Sequence, residues 1–391
     1  MRLIRDPAIL ALMGMQITVW AGLFYSFPAL VLEWQAEFGW RSPEIMGAFT
    51  LAIAIYALGA PLYGRLIDRG AAPLSLPLGT VIGAGLLLGL TGIETLWAFY
   101  LIWAAMGVIM GLSLYEATFA IVTRAKGPAV RQAITAITLV GGFASTLAYP
   151  LSHWLTEIGG WRLALYVFAA LNLVLAAPLA TFAATRLERD ARADQPKETE
   201  DVAAPPARLL RRSEYWLAAI GFAASALTLG IFVSHLLPIM AAQGVPDDLA
   251  ILAAALIGPS QVIGRIAMMA AGPHIPAIRI AQLAMGTVAL GAVMMAAAGW
   301  VAGVVLLFGF LQGAGHGVVG IMRPVVAREV FGQRDFGAIS GAVATPYLLL
   351  FALAPFLGAA LFGLAGYGPV LILCVLAPLA GAVLLNRLPR N

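Results

Sequence analysis

The sequence predicts an all-α membrane protein: twelve transmembrane helices arranged as two pseudo-symmetric six-helix bundles. Three observations lead there. Hydrophobic residues make up 61% of the 391 positions and charged residues only 11%, more apolar surface than a water-soluble core can bury but an ordinary load for a bilayer. Apolar runs of about 20 residues, the length that crosses ~30 Å of hydrocarbon, recur twelve times. Midway, one strongly polar stretch interrupts them.

The runs fall near 8–33, 44–63, 74–93, 96–123, 132–155 and 162–184, then 215–241, 248–271, 277–299, 302–323, 337–363 and 368–386. The first has no small-residue cleavage site behind a short apolar core, so it reads as a retained helix. Residues 186–214 carry seven basic and seven acidic residues with Pro196, Pro205 and Pro206. Mixed charge without apolar periodicity reads as a cytoplasmic linker with at most a short surface helix. The expected domains are therefore 1–185, the linker 186–214 and 215–391.

Charge sets the orientation. With the N-terminus in the cytoplasm, the outward loops hold only Arg41 and Arg162 of the 23 Lys and Arg. Arg65, Arg69, Arg124, Lys126, Arg131, Arg279, Arg328, Arg334, Arg387, Arg390 and the basic linker residues then face inward. This asymmetry is the positive-inside pattern, and it puts both termini in the cytoplasm. The net charge of +4 follows from orienting the helices and implies no nucleic-acid partner. Cys374 is the single cysteine and has no internal disulfide partner. No metal-ligand spacing, phosphate loop or nucleophile elbow is present, so neither a cofactor nor an enzymatic activity is expected.

The halves match weakly at near-constant offset. Phe24-Tyr25-Ser26-Phe27-Pro28 aligns with Ser234-His235-Leu236-Leu237-Pro238, Gly64-Arg65 with Gly264-Arg265, and Ala148-Tyr149-Pro150 with Leu353-Ala354-Pro355. Three matches in corresponding segments suggest a duplicated six-helix unit.

Ionisable residues inside apolar runs cost roughly 2.5–3.5 kcal/mol each on insertion scales, so each asks for a reason. Glu116 lies eight residues before Arg124, about 12 Å along a helix, with Ser113 and Tyr115 nearby. It is a candidate proton carrier, because desolvation raises a carboxyl pKa and a nearby cation lowers it; the alternative is a fixed ion-pair partner. In the tenth run, Gln312, His316 and Arg323 share one helical face, among Gly313, Gly315, Gly317 and Gly320, which would let neighbouring backbone approach. They are candidate substrate contacts, although Pro324 allows Arg323 simply to mark the cytoplasmic helix end. Tyr25 and His235 each precede a proline by three residues, where a bend would free carbonyls; both read as cavity residues or as interhelical hydrogen bonds. Arg265, about 10 Å inside the eighth run, suits a carboxylate clamp, or a hinge like its repeat partner Arg65. His274 reads as a loop residue.

The segment Gly64-Arg65-Leu66-Ile67-Asp68-Arg69-Gly70 resembles the loop signature of the major facilitator superfamily, with Ala71-Ala72 where that signature ends in basic residues. The resemblance implies secondary transport by alternating access. It makes Gly64, Arg65, Asp68, Arg69 and Gly70 a conformational hinge, with Asp68 and Arg69 contacting neighbouring helix ends. It also makes the first, fourth, seventh and tenth helices the lining of a central cavity. Gly22-Leu23-Phe24-Tyr25-Ser26-Phe27-Pro28, Glu37-Phe38-Gly39-Trp40, Ser113-Leu114-Tyr115-Glu116, Gly160-Trp161-Arg162 and Gln261-Val262-Ile263-Gly264-Arg265 resemble the monocarboxylate transporter family and its bacterial relatives. That resemblance implies a carboxylate-binding role for Arg265. Two departures accompany it: Ala29 stands where animal members carry a lysine, and Gln261 where they carry an aspartate. The usual proton-coupling pair is thus missing, leaving Glu116 as carrier with His235 or His316 as relays.

The expected function is transport of a small organic anion, a monocarboxylate, proton-coupled if Glu116 titrates during the cycle, by a monomer in a bacterial inner membrane. The competing expectation is an efflux carrier for hydrophobic or cationic compounds, favoured by an aromatic-rich surface around Glu116 and structurally committed arginines. A membrane sensor without transport is a third class, and the linker is short for it.

Overall fold

The computed structural model describes residues 6–193, 209–271 and 275–389. The middle of the linker, and His274 with Gly272 and Pro273, lie outside them. Among the described residues every regular element is helical. The chain forms two compact units, Met1–Ala204 with Gln333–Gly341 and Pro205–Gly332 with Ala342–Asn391.

In the first unit, Asp6 caps α1 (Pro7–Val19) by accepting from the Ala8 N–H at 2.9 Å, and Pro7 takes the first helical turn, where its missing N–H is harmless. A π-helical segment, Trp20–Tyr25, follows and leads into α2 (Ser26–Phe38). Pro28 cannot donate to the carbonyl four residues back, and the ladder just upstream is where the helix widens. Left-handed Gly39 ends α2. Next come α3 (Ser42–Asp68), α4 (Ala72–Leu90), α5 (Leu96–Ser113), α6 (Tyr115–Lys126) and α7 (Val130–Gly141). The unit continues with α8 (Ala144–Leu171), a second π segment at Asn172–Ala176, and α9 (Ala177–Ala193). Residues 186–193, assigned to the linker by charge, therefore continue α9.

The second unit contains α10 (Ser213–Ala242), α11 (Asp247–Ala270), α12 (Ala277–Ala297) and α13 (Val304–Phe331). It also holds α14 (Phe336–Ala365) from Ala342 onward, and α15 (Tyr367–Asn386). Cys374 is buried in its core.

Among the described residues, eleven helical runs are long and apolar enough to cross a bilayer. The longest, Val130–Ala193, has 64 residues, roughly 96 Å of helix against ~30 Å of hydrocarbon. Its backbone leaves helical geometry at Gly159 and at Gly160, where φ is +78°. Divided there it supplies two crossings, which agrees with twelve.

Lipid gives helices no hydrophobic reason to pair, so close backbone approach through small residues takes over. A β-carbon on Gly309, Gly313 or Gly317 of α13 would run into the α11 backbone at Ala253, Ile257 or Gln261. In the first unit, Gly107 of α5 meets Ala52 of α3 in the same way. Gly107 with Ala52 and Gly309 with Ala253 are related by offsets of 202 and 201 residues, so the two units repeat a helix contact as well as short motifs. Gly315 packs against α12, but Gly320 has nothing within 4 Å and does not share the expected role.

Candidate functional site

The hinge segment closes α3 with a Schellman motif. The Ala71 N–H donates to the Leu66 carbonyl at 3.0 Å and the Gly70 N–H to Ile67 at 2.9 Å, with Gly70 at φ +84°. Asp68 accepts from the Gly337 and Ala338 N–H groups, both at 2.9 Å, at the start of α14. A carboxylate there meets unsatisfied donors and the positive helix end. Gly64 lies so close to Gly337, and Ala60 to Gly341, that a β-carbon on either glycine of α14 or on Gly64 would strike backbone. Arg65 is half-buried and Arg69 exposed.

An ion-pair network with a buried Arg124–Glu188 pair at its centre backs this hinge. Arg124 donates to both oxygens of Glu188, at 2.8 and 3.2 Å, and to the Ile67 carbonyl. Arg192 also reaches Glu188, at 3.1 Å. The Gln333 amide donates to the Thr123 and Arg124 carbonyls. Lys126 pairs with Asp6 at 2.7 Å and Asp190 at 3.1 Å. Burial pushes the Asp6 carboxyl up, but hydrogen bonds from Lys126 and the Ala8 N–H, with the charges of Lys126 and Arg186, outweigh it and hold Asp6 below its ordinary value.

At the other end of the unit, Arg162 forms two hydrogen bonds to Glu37, at 3.0 and 2.6 Å, and one to the Thr91 carbonyl. The Trp161 indole donates to the same Glu37 carboxylate, and the Arg162 guanidinium lies 4.3 Å from the Trp161 ring centre. Arg41 pairs with Glu44. Both arginines expected in outward loops thus have acidic partners.

Between these ends lies Glu116, 4% exposed. The expected single helix over 96–123 is in fact broken: Leu114 is extended, at φ −80° and ψ −161°, and Glu116 occupies the first turn of the new helix α6. A carboxylate there is favoured by the helix dipole. Gln16 spans the break, its amide nitrogen donating to the Ser113 carbonyl at 2.9 Å and to the Thr118 hydroxyl at 2.7 Å. Aromatic rings surround this point. Trp20 lies 4.8 Å from Tyr115 and 6.1 Å from Tyr25, Tyr115 stacks on Phe119, and Tyr25 lies 6.2 Å from Tyr149.

In the second unit, α13 carries Gln312, His316 and Arg323. His316 Nδ1 faces the Gln312 carbonyl at 3.2 Å and Nε2 faces the Ser225 carbonyl at 3.3 Å. Gln312 is 3% exposed, and neither of its amide atoms has a hydrogen-bond partner. Arg323 is buried over the Tyr347 ring at 5.1 Å. It does not mark a helix end, because α13 runs through Pro324 to Phe331; neighbouring groups in a bundle can compensate a proline's lost bond. Arg265 is buried and donates to the Gly317 carbonyl at 3.1 Å and the Gln261 amide oxygen at 3.3 Å. His235 bonds the Pro355 carbonyl at 2.9 Å, packs on Gly358 and lies 6.1 Å from Tyr367. Thus Gln312 joins His316, and Gln261 joins Arg265, while His235 sits in a separate contact with α14.

The family model of the Major Facilitator Superfamily matches residues 12–310, more than half of the chain. The chain belongs to the major facilitator superfamily. No curated protein matches it. Similar solved structures include FucP, a superfamily transporter in an outward conformation, at 13% identity and TM-score 0.70, covering 99% of this chain and 100% of that one. A variant of the E. coli fucose:proton symporter FucP gives 13% identity and TM-score 0.74 with the same coverage. A bacterial homologue of the iron transporter ferroportin, outward-facing, gives 13% and 0.75 over 98% and 99%. At such identity these likenesses establish the fold alone.

Within this superfamily fold, sequence reasoning overlooked Gln16, Glu188 and Gln333. Glu188 was hidden inside a charge run that reads as solvated. Gln16 is an uncharged amide whose partners lie about a hundred positions away, and no local pattern announces it.

Proposed function

We propose that this superfamily member is a secondary carrier for a small organic anion of the monocarboxylate class, working by alternating access. Glu116 carries the coupling proton, and His316 and His235 are candidate relays. The observation that carries the reading is Gln312. An unbonded buried polar group costs about 1–3 kcal/mol, and both amide atoms of Gln312 are in that position on the face that also bears His316 and Arg323. A bound polar ligand relieves that cost, and the guanidinium on the same face favours an anion. Arg265 and Tyr25 are further proposed contacts. The proton is supported by the membrane position of Glu116 and by the named coupling of the FucP neighbour. The hydrogen bonds from the first turn of α14 to Asp68 are the contact proposed to break and re-form during the cycle. A domain division in the polar stretch between α9 and α10, a monomeric carrier, a bacterial inner membrane and cytoplasmic termini complete the reading.

One observation favours a second reading, export of hydrophobic or cationic compounds: Glu116 lies among Trp20, Tyr25 and Tyr115, rings that suit cations and flat apolar groups. Uptake of labelled small carboxylates into proteoliposomes, with and without an inward proton gradient, separates the two. Accumulation that falls at least ten-fold in Arg265→Ala, and that no longer follows the gradient in Glu116→Gln, supports the anion carrier. Full accumulation in Arg265→Ala removes the clamp. No carboxylate uptake by the wild type, with binding of lipophilic cations, selects the export reading.

A further inference from the structure

We propose that Gln16 is a positioning residue that holds Glu116 in place and ties it to the π-helical segment bearing Tyr25. The inference rests on the reading of Glu116 as the proton carrier. The Gln16 amide has one orientation that satisfies its surroundings. The Trp20 indole can only donate, so the Gln16 oxygen must face it, at 3.0 Å; the Ser113 carbonyl can only accept, so the nitrogen must face that, at 2.9 Å. The remaining N–H meets the Thr118 hydroxyl at 2.7 Å. Gln16 is completely buried, so water cannot replace it.

Its partners lie on the two irregular stretches of this part of the unit. Trp20 is the first residue of the π segment that ends at Tyr25. Ser113 and Thr118 stand on either side of the break at Leu114, with Glu116 between them. The Trp20 ring also packs against Tyr115, the neighbour of Glu116. One amide therefore fixes the first turn of α6 and the register of the π segment together. A rotation that moves Tyr25 pulls on Gln16, and through it on the turn that carries Glu116. Loss of the amide would leave the Ser113 carbonyl and the Trp20 N–H unbonded, and the two stretches would move independently.

The test uses the whole chain of 391 residues. The infrared carboxyl signal of Glu116, isolated as wild type minus Glu116→Gln, is compared with the same difference in a Gln16→Leu background. A moved or broadened band supports the proposal. An unchanged band in folded Gln16→Leu overturns it, because a general packing role would lower the melting temperature without altering the Glu116 environment. Should Gln16→Leu fail to fold, Thr118→Val, which removes one acceptor, is measured by the same criterion. In proteoliposomes loaded with the carboxylate the wild type transports best, proton-driven accumulation should fall at least ten-fold further than exchange in Gln16→Leu; equal losses overturn the linkage. A moved band in a protein that accumulates no carboxylate upholds Gln16 as the holder of Glu116 and defeats the transport reading instead.

Discussion

Gln312 offers a sharp residue-level prediction because its two roles pull in opposite directions. A structural amide loses stability when replaced by leucine, whereas an unbonded one gains, by about 1–3 kcal/mol, since its desolvation cost disappears. Gln312→Leu is expected to hold or raise the melting temperature while transport falls at least ten-fold, read by thermal unfolding in detergent beside proteoliposome uptake. Gly64 gives the opposite case. With the Gly337 backbone against it, Gly64→Val should cost about 1–3 kcal/mol by overpacking, and faster amide exchange at Gly337 and Ala338 would register the loosened contact. Glu116 and His316 stood out in the sequence as ionisable groups in apolar runs, and Asp68 through the short signature that holds it. The missing partners of Gln312 did not, since which hydrogen bonds go unmade depends on what the folded helices pack against it.

Among helices, the start of α13 was legible but its continuation past Arg323 to Phe331 was not, and its glycines fell into different classes only once α11 and α12 were packed on it. Gly313→Leu should drive α13 from the α11 backbone and lower stability by about 1–3 kcal/mol. Gly320→Ala, facing open space inside a helix, should hold or raise stability, by up to about 1 kcal/mol; thermal melts of the two variants check the contrast. The break between α5 and α6 escaped sequence reading for a plain reason. Residues 111–116 contain no proline, and the Ser113 hydroxyl bonds back to the Ile109 carbonyl at 2.7 Å as serines in intact helices do. The π segment left a weak trace, because Pro28 announces lost hydrogen bonds without saying how the helix absorbs them.

For the molecule as a whole, the membrane crossings were readable because bilayer thickness sets the length of an apolar run, and the internal repeat because short motifs recur at near-constant offset. The Arg124–Glu188 pair was not, as it joins positions 64 apart through a segment that reads as linker. Both side chains are under a tenth exposed, so Glu188→Gln should strand the arginine and cost about 3–5 kcal/mol, with little relief from added salt; melts at low and high ionic strength test both halves of that statement. The tie between Asp6 and Lys126 should survive mild acid, because a carboxyl held below its ordinary value of 3.8 contributes above that pH and is lost only as pH falls through its own lowered one. Single cysteines placed at either terminus, in a Cys374→Ser background, should both react with membrane-impermeant thiol reagents only in inverted vesicles. The clasp of Glu37 with Trp161 and Arg162 carries a genealogical consequence. Two short motifs 125 positions apart form one physical object, so descendants and cousins of this chain should keep or lose them together, and a lineage that drops the acid at position 37 should soon drop the arginine at 162.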